Sequence, residues 1–373
     1  MALEWLPAAI TDLDRTGLLR TPRAPLAGPG PYVELDGRRL LNLCSNDYLS
    51  LAALPVESDT AGAGASRLVG GHQRAHAELE QGIARWLQLE ACLLFTSGYA
   101  ANVGALSALA GPDTLIVSDA QNHASIVDGC RLGRARVAVV PHLDLAATAE
   151  ALRRAPEHKR IVATDGYFSM DGDRPDLVGL RALCDETGAA LYVDEAHALG
   201  VYGPEGRGAC AAAGVRPDVL VGTLGKAFGA AGAFVAGTPE LVLWLWNRAR
   251  SFVFSTGTPA ALATTALRRL PLLRDGVRTR RLHANAASLR AQLARAGVTV
   301  LAGSEGPIIP VVLGDPRRAV AAAEQLATRG LFVHPMRPPT VAVGTSRLRI
   351  TVQADHAPSD LERAAADIAT AVS

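Results

Sequence analysis

Ala189-Ala-Leu-Tyr-Val-Asp-Glu-Ala-His197 and, further along, Val219-Leu-Val-Gly-Thr-Leu-Gly-Lys226 share one build. In each, a short apolar run stops at polar side chains: Asp194 and His197 in the first, Thr223 and Lys226 in the second. Apolar runs of this length read as strands, Ala189 to Val193 and Val219 to Gly222, buried on both faces. Segments of helical length separate such runs, and strands alternating with helices make a mostly parallel sheet covered on both sides. In that kind of sheet ligands bind beyond the carboxyl ends of the strands, which is where these four polar residues fall.

The alternation extends over residues 41 to 240. Further strand-like runs lie at Ala91 to Phe95, Thr114 to Val117, Arg136 to Val140 and Arg160 to Thr164. Between them come helical patterns such as His76 to Leu87, with Leu79, Ile83 and Trp86 on one face. Residues 1 to 40, rich in Pro, Gly and Arg, read as an arm leading into a strand at Tyr32 to Leu35. Residues 241 to 373 read as a linker helix and a smaller C-terminal α+β domain. That domain is expected to hold a helix from Thr279 to Ala296 and strands at Ile308 to Val312, Leu331 to Val333 and Arg347 to Val352. A last helix follows, with capping-box spacing in Ser359-Asp-Leu-Glu362. The expected class is therefore α/β, a large mostly parallel sheet domain plus this smaller one.

The 373 residues carry 37 basic and 36 acidic side chains, and 49% are hydrophobic. A balance this even gives no general attraction to nucleic acid or to an anionic membrane. No apolar run nears the roughly 20 residues that cross a bilayer. Met1-Ala-Leu-Glu-Trp-Leu-Pro7 lacks the basic start and apolar stretch of a signal peptide. Cys44, Cys92, Cys130, Cys184 and Cys210 are scattered, without a Cys-x-x-Cys pair, so no metal site is expected. Such cysteines suit a reducing compartment, the cytoplasm.

Lysine is rare here. Only Lys159 and Lys226 occur, every other basic residue being arginine. Lys159, in Glu157-His-Lys-Arg160, reads as a solvated surface charge. Lys226 sits among Gly, Ala, Leu and Phe with no other charge nearby in sequence. A lysine in such surroundings loses hydration, its ammonium is disfavoured, and its amine becomes a usable nucleophile.

Two phosphate motifs fail on inspection. Gly62-Ala-Gly-Ala-Ser-Arg67 lacks the third glycine and the preceding strand of a dinucleotide fingerprint, and Gly225-Lys226 has Ala227 where a P-loop needs Ser or Thr. Thr96-Ser-Gly-Tyr-Ala-Ala-Asn102 instead places small residues between a strand and a helix, where backbone N–H groups attract a phosphate. An Asp at one strand end and a Lys at another are the protein half of pyridoxal-phosphate (PLP) chemistry. Asp194 would keep the ring nitrogen protonated and Lys226 would form a Schiff base. His123 could stack on the ring, and Ser169 and His197 could bond its phenolic oxygen.

With Ser45-Asn-Asp-Tyr-Leu49, Ser97-Gly-Tyr-Ala-Ala-Asn102, His123, Phe168-Ser-Met-Asp-Gly-Asp173, Val193-Asp-Glu-Ala-His197 and Thr223-Leu-Gly-Lys226, the chain resembles the α-oxoamine synthases. These are fold-type-I PLP-dependent transferases that join an amino acid to an acyl thioester with loss of CO2. Arg337-Pro-Pro-Thr-Val341 and Ser346-Arg-Leu-Arg349 resemble the branch of biotin synthesis, which takes L-alanine and a pimeloyl thioester on coenzyme A or acyl carrier protein. The nearest rival branch takes glycine and a short acyl-CoA. More distant alternatives are a PLP-binding regulator, which no DNA-binding segment supports, and a cofactor-free binding protein.

The resemblance implies that Lys226 is the cofactor lysine, Asp194 the partner of the ring nitrogen and His123 the stacking residue. Gly98, Tyr99 and Thr223 would bind the phosphate, with Ser255 and Thr256 reaching the neighbouring subunit's phosphate in a homodimer with shared active sites. Arg349 and Asn46 would hold the amino acid's carboxylate, and Thr340 and Arg20 the substrate. Two runs depart from the family pattern: Asp194-Glu-Ala-His-Ala-Leu-Gly200 has Glu and Ala where Asp and Gly are usual, and Gly62-Ala-Gly-Ala-Ser66 is poor in glycine.

Overall fold

In the computed structural model, which describes residues 3–20, 26, 28–56 and 61–373, the first strands are β1 (Tyr32–Leu35), β2 (Arg38–Asn42), β3 (Ala91–Phe95), β4 (Thr114–Asp119), β5 (Arg136–Val140) and β6 (Lys159–Asp165). Then come β7 (Ala190–Asp194), β8 (Val219–Thr223), β9 (Ala233–Gly237), β10 (Ile308–Gly314), β11 (Leu331–Phe332), β12 (His334–Met336) and β13 (Ser346–Thr351). The chain divides into two units. One is Asp47–Ser169 with Asp173–Arg280, and the other is Met1–Asn46, Met170–Gly172 and Arg281–Ser373.

In the larger unit seven strands form one sheet in the order β3-β9-β8-β7-β6-β4-β5. The neighbours from β8 to β5 pair in parallel, as the alternation with helices implies. Strand β9, not anticipated from sequence, runs antiparallel to both β3 and β8. The reason lies in its connection: Leu224–Gly232 is too short for a parallel crossover, which takes about a dozen residues or more. Apolar side chains of the sheet, among them Leu93, Ile116, Val221 and Val235, bury against Ala105, Leu106 and Leu245 of flanking helices. Parallel pairing brings the carboxyl ends of neighbouring strands to one edge. Register sets Asp165 beside Asp194 there, and Asp194 beside Val221.

The smaller unit holds an antiparallel sheet, β10-β13-β12, and a second sheet, β1-β2-β11. Strand periodicity sends Leu348 and Ile350 of β13 into a core with Leu289, Leu326 and Leu361, and puts Arg347 and Arg349 on the opposite face.

Two local expectations need correction. The N-terminal stretch expected as an arm contains a helix, Leu6–Arg15, with no buried residue, while residues 1–2, 21–25 and 27 of it lie outside the described residues. The last helix, Pro358–Val372, begins before Ser359, and its N-cap is Ala357 with no side-chain cap. Pro358 at the first position has a preset φ and no N–H in need of a partner, so the helix starts there without a capping box. Among the described residues no helix is long and apolar enough to cross a membrane.

Candidate active site

Strand β7 carries Asp194 to the sheet edge while keeping it 4% exposed. A carboxylate buried so deeply needs hydrogen bonds. Its Oδ2 accepts from Asn102 Nδ2 at 2.6 Å, and Oδ1 accepts from the Ala196 N–H at 2.8 Å. Asn102 is fixed in turn, since its Oδ1 accepts from the Tyr192 hydroxyl at 2.8 Å and its Nδ2 also donates to Ser125 Oγ at 2.9 Å.

His123 caps the helix Ala124–Leu132. Its Nδ1 lies 2.7 Å from Ser125 Oγ, and its own N–H donates to Asp165 Oδ2 at 2.9 Å. Burial lowers the imidazole pKa, Asp194 opposes that shift, and the charge of Lys226 adds to it. The ring is therefore neutral near pH 7. Asp165 moves the other way: burial and the adjacent Asp194 push its carboxyl well above the usual range, against the pull of the His123 N–H and Lys226. Burial and the neighbouring Asp194 together drive Asp165 toward its neutral form.

Lys226 lies half-buried in the β8–β9 turn. The turn is closed by Ala230 N–H to Leu224 O and Gly229 N–H to Lys226 O, both 2.8 Å. Lys159, by contrast, pairs with Asp113 at 2.9 Å and is 64% exposed, as expected of a surface charge. Thr223 Oγ1 donates to Gly232 O at 3.2 Å and accepts from the Gly225 N–H at 3.2 Å. Opposite it the helix Gly98–Leu109 begins, capped by Ser97 Oγ, which accepts from Ala100 N–H at 3.1 Å. Gly98 leaves room beside Thr223: a Cβ there would stand 3.9 Å from the threonine Cβ and 4.0 Å from Oγ1. Tyr99, next in that first turn, donates its hydroxyl to Asp128.

The remaining groups of this unit are positioned by loops. His197 Nδ1 meets the hydroxyl of the buried Tyr48 at 2.7 Å. Ser169 follows Phe168, whose N–H donates to Asp173 O at 3.0 Å. Ser255 is half-buried and Thr256 exposed, and Thr256 makes an isolated β-bridge with Ser66.

In the smaller unit Arg349 is buried in β13 and donates from Nη1 to Asn46 Oδ1 at 3.1 Å. Arg20 donates from Nη2 to Pro338 O at 3.2 Å and to Arg337 O at 3.4 Å, and the N–H of the exposed Thr340 donates to Arg337 O at 3.0 Å. Arg347 on the same strand pairs with Asp171.

The donor set of the larger unit fits PLP. It offers a primary amine, a buried carboxylate for a protonated ring nitrogen, a flat neutral imidazole, and a helix start beside a threonine hydroxyl for a phosphate. The sequence assigned no role to Asn102, Asp165, Ser125 or Tyr48, although Tyr48 and Asn102 lie in family-like runs and Asn102 is an amide inside the apolar run Ala100-Ala-Asn-Val-Gly-Ala-Leu106.

A profile of the family described as aminotransferase class I and II matches residues 38–368. The 8-amino-7-oxononanoate synthase of Anaeromyxobacter dehalogenans is 49% identical over 367 residues, 95% of this chain and 92% of that protein. The 8-amino-7-oxononanoate synthase of Paracidovorax citrulli is 44% identical, covering 98% of this chain and 94% of its own length. Among solved structures, a serine palmitoyltransferase variant from S. paucimobilis with a bound PLP–myriocin aldimine matches with a TM-score of 0.92 at 28% identity, over 99% of this chain and 97% of that one.

Proposed function

The chain belongs to the aminotransferase class I and II family, and from that premise we propose that it condenses L-alanine with a pimeloyl thioester to give 8-amino-7-oxononanoate, CO2 and the free thiol carrier, a step of biotin synthesis. It is a PLP-dependent acyltransferase. The observation that carries this reading is the buried Asp194, clamped by Asn102 at 2.6 Å and sharing a field with His123 and Lys226. The identity to synthases of that reaction over nearly the whole chain supports the choice of substrates.

When bound, PLP supplies an electron sink for the pair released at an amino acid's α-carbon. The chain does the rest. Gly98 and Tyr99 offer backbone N–H groups, and Thr223 a hydroxyl, to the phosphate. Asp194 would keep a proton at the ring nitrogen, His123 would cover the ring face, and Ser169 and His197 would hydrogen-bond the phenolic oxygen. Lys226 would hold the cofactor through its amine, and the same amine would be the group that takes the α-proton of alanine and returns a proton to the product. Arg349, steadied by Asn46, holds alanine's carboxylate in bidentate fashion until it leaves as CO2. His123 also hydrogen-bonds the thioester carbonyl, and Arg20 and Thr340 contact the substrate.

We read the active unit as a homodimer in which Ser255 and Thr256 reach the neighbour's phosphate. Support comes from exposed apolar side chains: Phe254, which precedes Ser255, is 71% exposed, and Leu243 and Trp244 of the helix Pro239–Arg248 are 65 and 47% exposed, apolar surface that a second copy would cover. The five free cysteines suit the cytoplasm.

Turnover of L-alanine with a pimeloyl thioester, measured against glycine with a short acyl-CoA, tests the substrate assignment by the mass of the amino ketone formed. Preference for glycine moves the chain to the glycine branch, and turnover of neither sinks the reading. For the dimer, a Lys226→Ala subunit is mixed with a Ser255→Ala, Thr256→Ala subunit. One site of the hybrid then carries both lesions and the other none, so activity should return. If confirmed exchange restores nothing, the phosphate contact is made within one subunit.

A further inference from the structure

Tyr48 lies in the run Ser45-Asn-Asp-Tyr-Leu49 and is fully buried, yet its hydroxyl ends 2.7 Å from His197 Nδ1. The rings are 6.1 Å apart and tilted by 60°, so they meet through the hydroxyl rather than by stacking. The loop that presents Tyr48 is stiff. The Asp47 carboxylate accepts from the Leu51 N–H at 2.9 Å and the Ala52 N–H at 3.0 Å. Arg269, 3% exposed, donates to Leu54 O at 2.6 Å and, from its other nitrogen, to Gly229 O in the turn that bears Lys226. Gly229 has φ +62, and a Cβ on it would stand 2.4 Å from Ala52 N, so the two backbones touch. Tyr48 therefore cannot withdraw without disturbing the lysine turn.

A phenol hydroxyl can donate its proton or accept on its oxygen, and a neutral imidazole has one donor nitrogen and one acceptor nitrogen, so the direction of this bond and the tautomer of His197 are set together. We propose that Tyr48 is a positioning residue that sets the tautomer of His197, its hydroxyl donating to Nδ1 so that the ring proton stays on Nε2. On the reading of His197 given above, on which this inference rests, Nε2–H is then the group that donates to the cofactor's phenolic oxygen. Tyr48 acts through His197 and touches no substrate.

Nitrogen-15 NMR of the full-length protein labelled at histidine, with and without PLP, reports which ring nitrogen carries the proton, and His197→Asn assigns the signal. The expected result is a bare, hydrogen-bonded Nδ1 and a protonated Nε2. In Tyr48→Phe, which keeps the buried ring and removes only the hydroxyl, the Nδ1 signal should shift and the other tautomer appear. A proton on Nδ1 in the unaltered protein, or a His197 signal unmoved in Tyr48→Phe, overturns the proposal.

A second readout is the pH midpoint of the bound cofactor's visible band. Losing a donor to the phenolic oxygen raises it by about one unit, the worth of one hydrogen bond. A midpoint that rises in both variants, with PLP still bound, supports the proposal. If it rises in His197→Asn alone, Tyr48 has no hold on His197 and the proposal fails. If it rises in neither, His197 does not face the cofactor and the reading of the site fails, while the nitrogen signals still decide the tautomer.

Discussion

The candidate site groups of the two units differ in kind. In the larger one the candidate groups stand at strand ends and in turns, where burial lowers the pKa of His123 and raises that of Asp165. His123, Asp165, Asp194 and Lys226 feel one another's charge, and Asn102 and Tyr192 wire Asp194 to a helix and to its own strand. In the smaller unit the charged candidates are arginines, held in mid-strand or on main-chain carbonyls. Arg349 donates to Asn46, Arg347 pairs with Asp171, and Arg337 donates to Gly17 O at 2.8 Å. A guanidinium keeps its charge at any working pH and offers a rigid fork of donors, so such an array recognises shape and charge without moving protons. On the function proposed above, the groups of the larger unit would govern the chemical step and Arg349 of the smaller one the hold on the amino acid.

The largest effect should come from Lys226→Ala, with kcat falling by about a thousandfold or more, because the nucleophile and the proton carrier are lost together. Borohydride reduction of the loaded protein should fix the cofactor to a single lysine peptide. Recovery on Lys159 would break the assignment. Asp194→Asn comes next. It should keep the cofactor's visible absorbance yet slow exchange of alanine's α-proton by about a hundredfold. Exchange at the normal rate would mean that the polar groups of the larger unit do not act together.

Arg349→Ala tests the other side of the contrast. The apparent alanine KM should rise tens to hundreds of fold, about 2–3 kcal/mol for a lost charge-assisted contact, with absorbance intact. A loss confined to kcat would erase the distinction between the units. An unchanged alanine affinity would turn attention to Arg347 and Arg337.

The smallest effect is on stability. His142 lies between Asp119 (Nδ1 to Oδ1, 2.9 Å) and Asp173 (Nε2 to Oδ2, 3.0 Å). Burial alone would lower its pKa, but the bonds to the two carboxylates outweigh burial and raise it to about 9. A group whose pKa rises on folding stabilises fully below its unfolded value, about 6.5, and loses that contribution as pH climbs through 9. The decline should be on the order of 2 kcal/mol, visible in melting curves taken from pH 6 to 10, and flattened in His142→Gln. An equally steep decline in His142→Gln would show that the titrating group lies elsewhere.

Much of this was legible in the chain before any fold was known. Apolar runs of strand length, alternating with helical spacing, placed the parallel strands to within a residue or two, because burial on both faces demands such runs. The second of only two lysines stood out by its apolar surroundings, and an Asp at a strand end supplied its counterpart. Partnership was not legible. Asn102 bonds Asp194, Asp165 lies beside Asp194, and Tyr48 reaches His197. Each of these contacts spans a long stretch of chain and depends on which strands are neighbours and in what register. Local periodicity carries neither. Residue type and short-range pattern thus determined which chemistry the protein can perform and which strand ends bear it. Only tertiary structure decided which groups share a field, that Asp165 is pushed toward its neutral form, and which hydroxyl meets which imidazole nitrogen, because those depend on distances that folding creates.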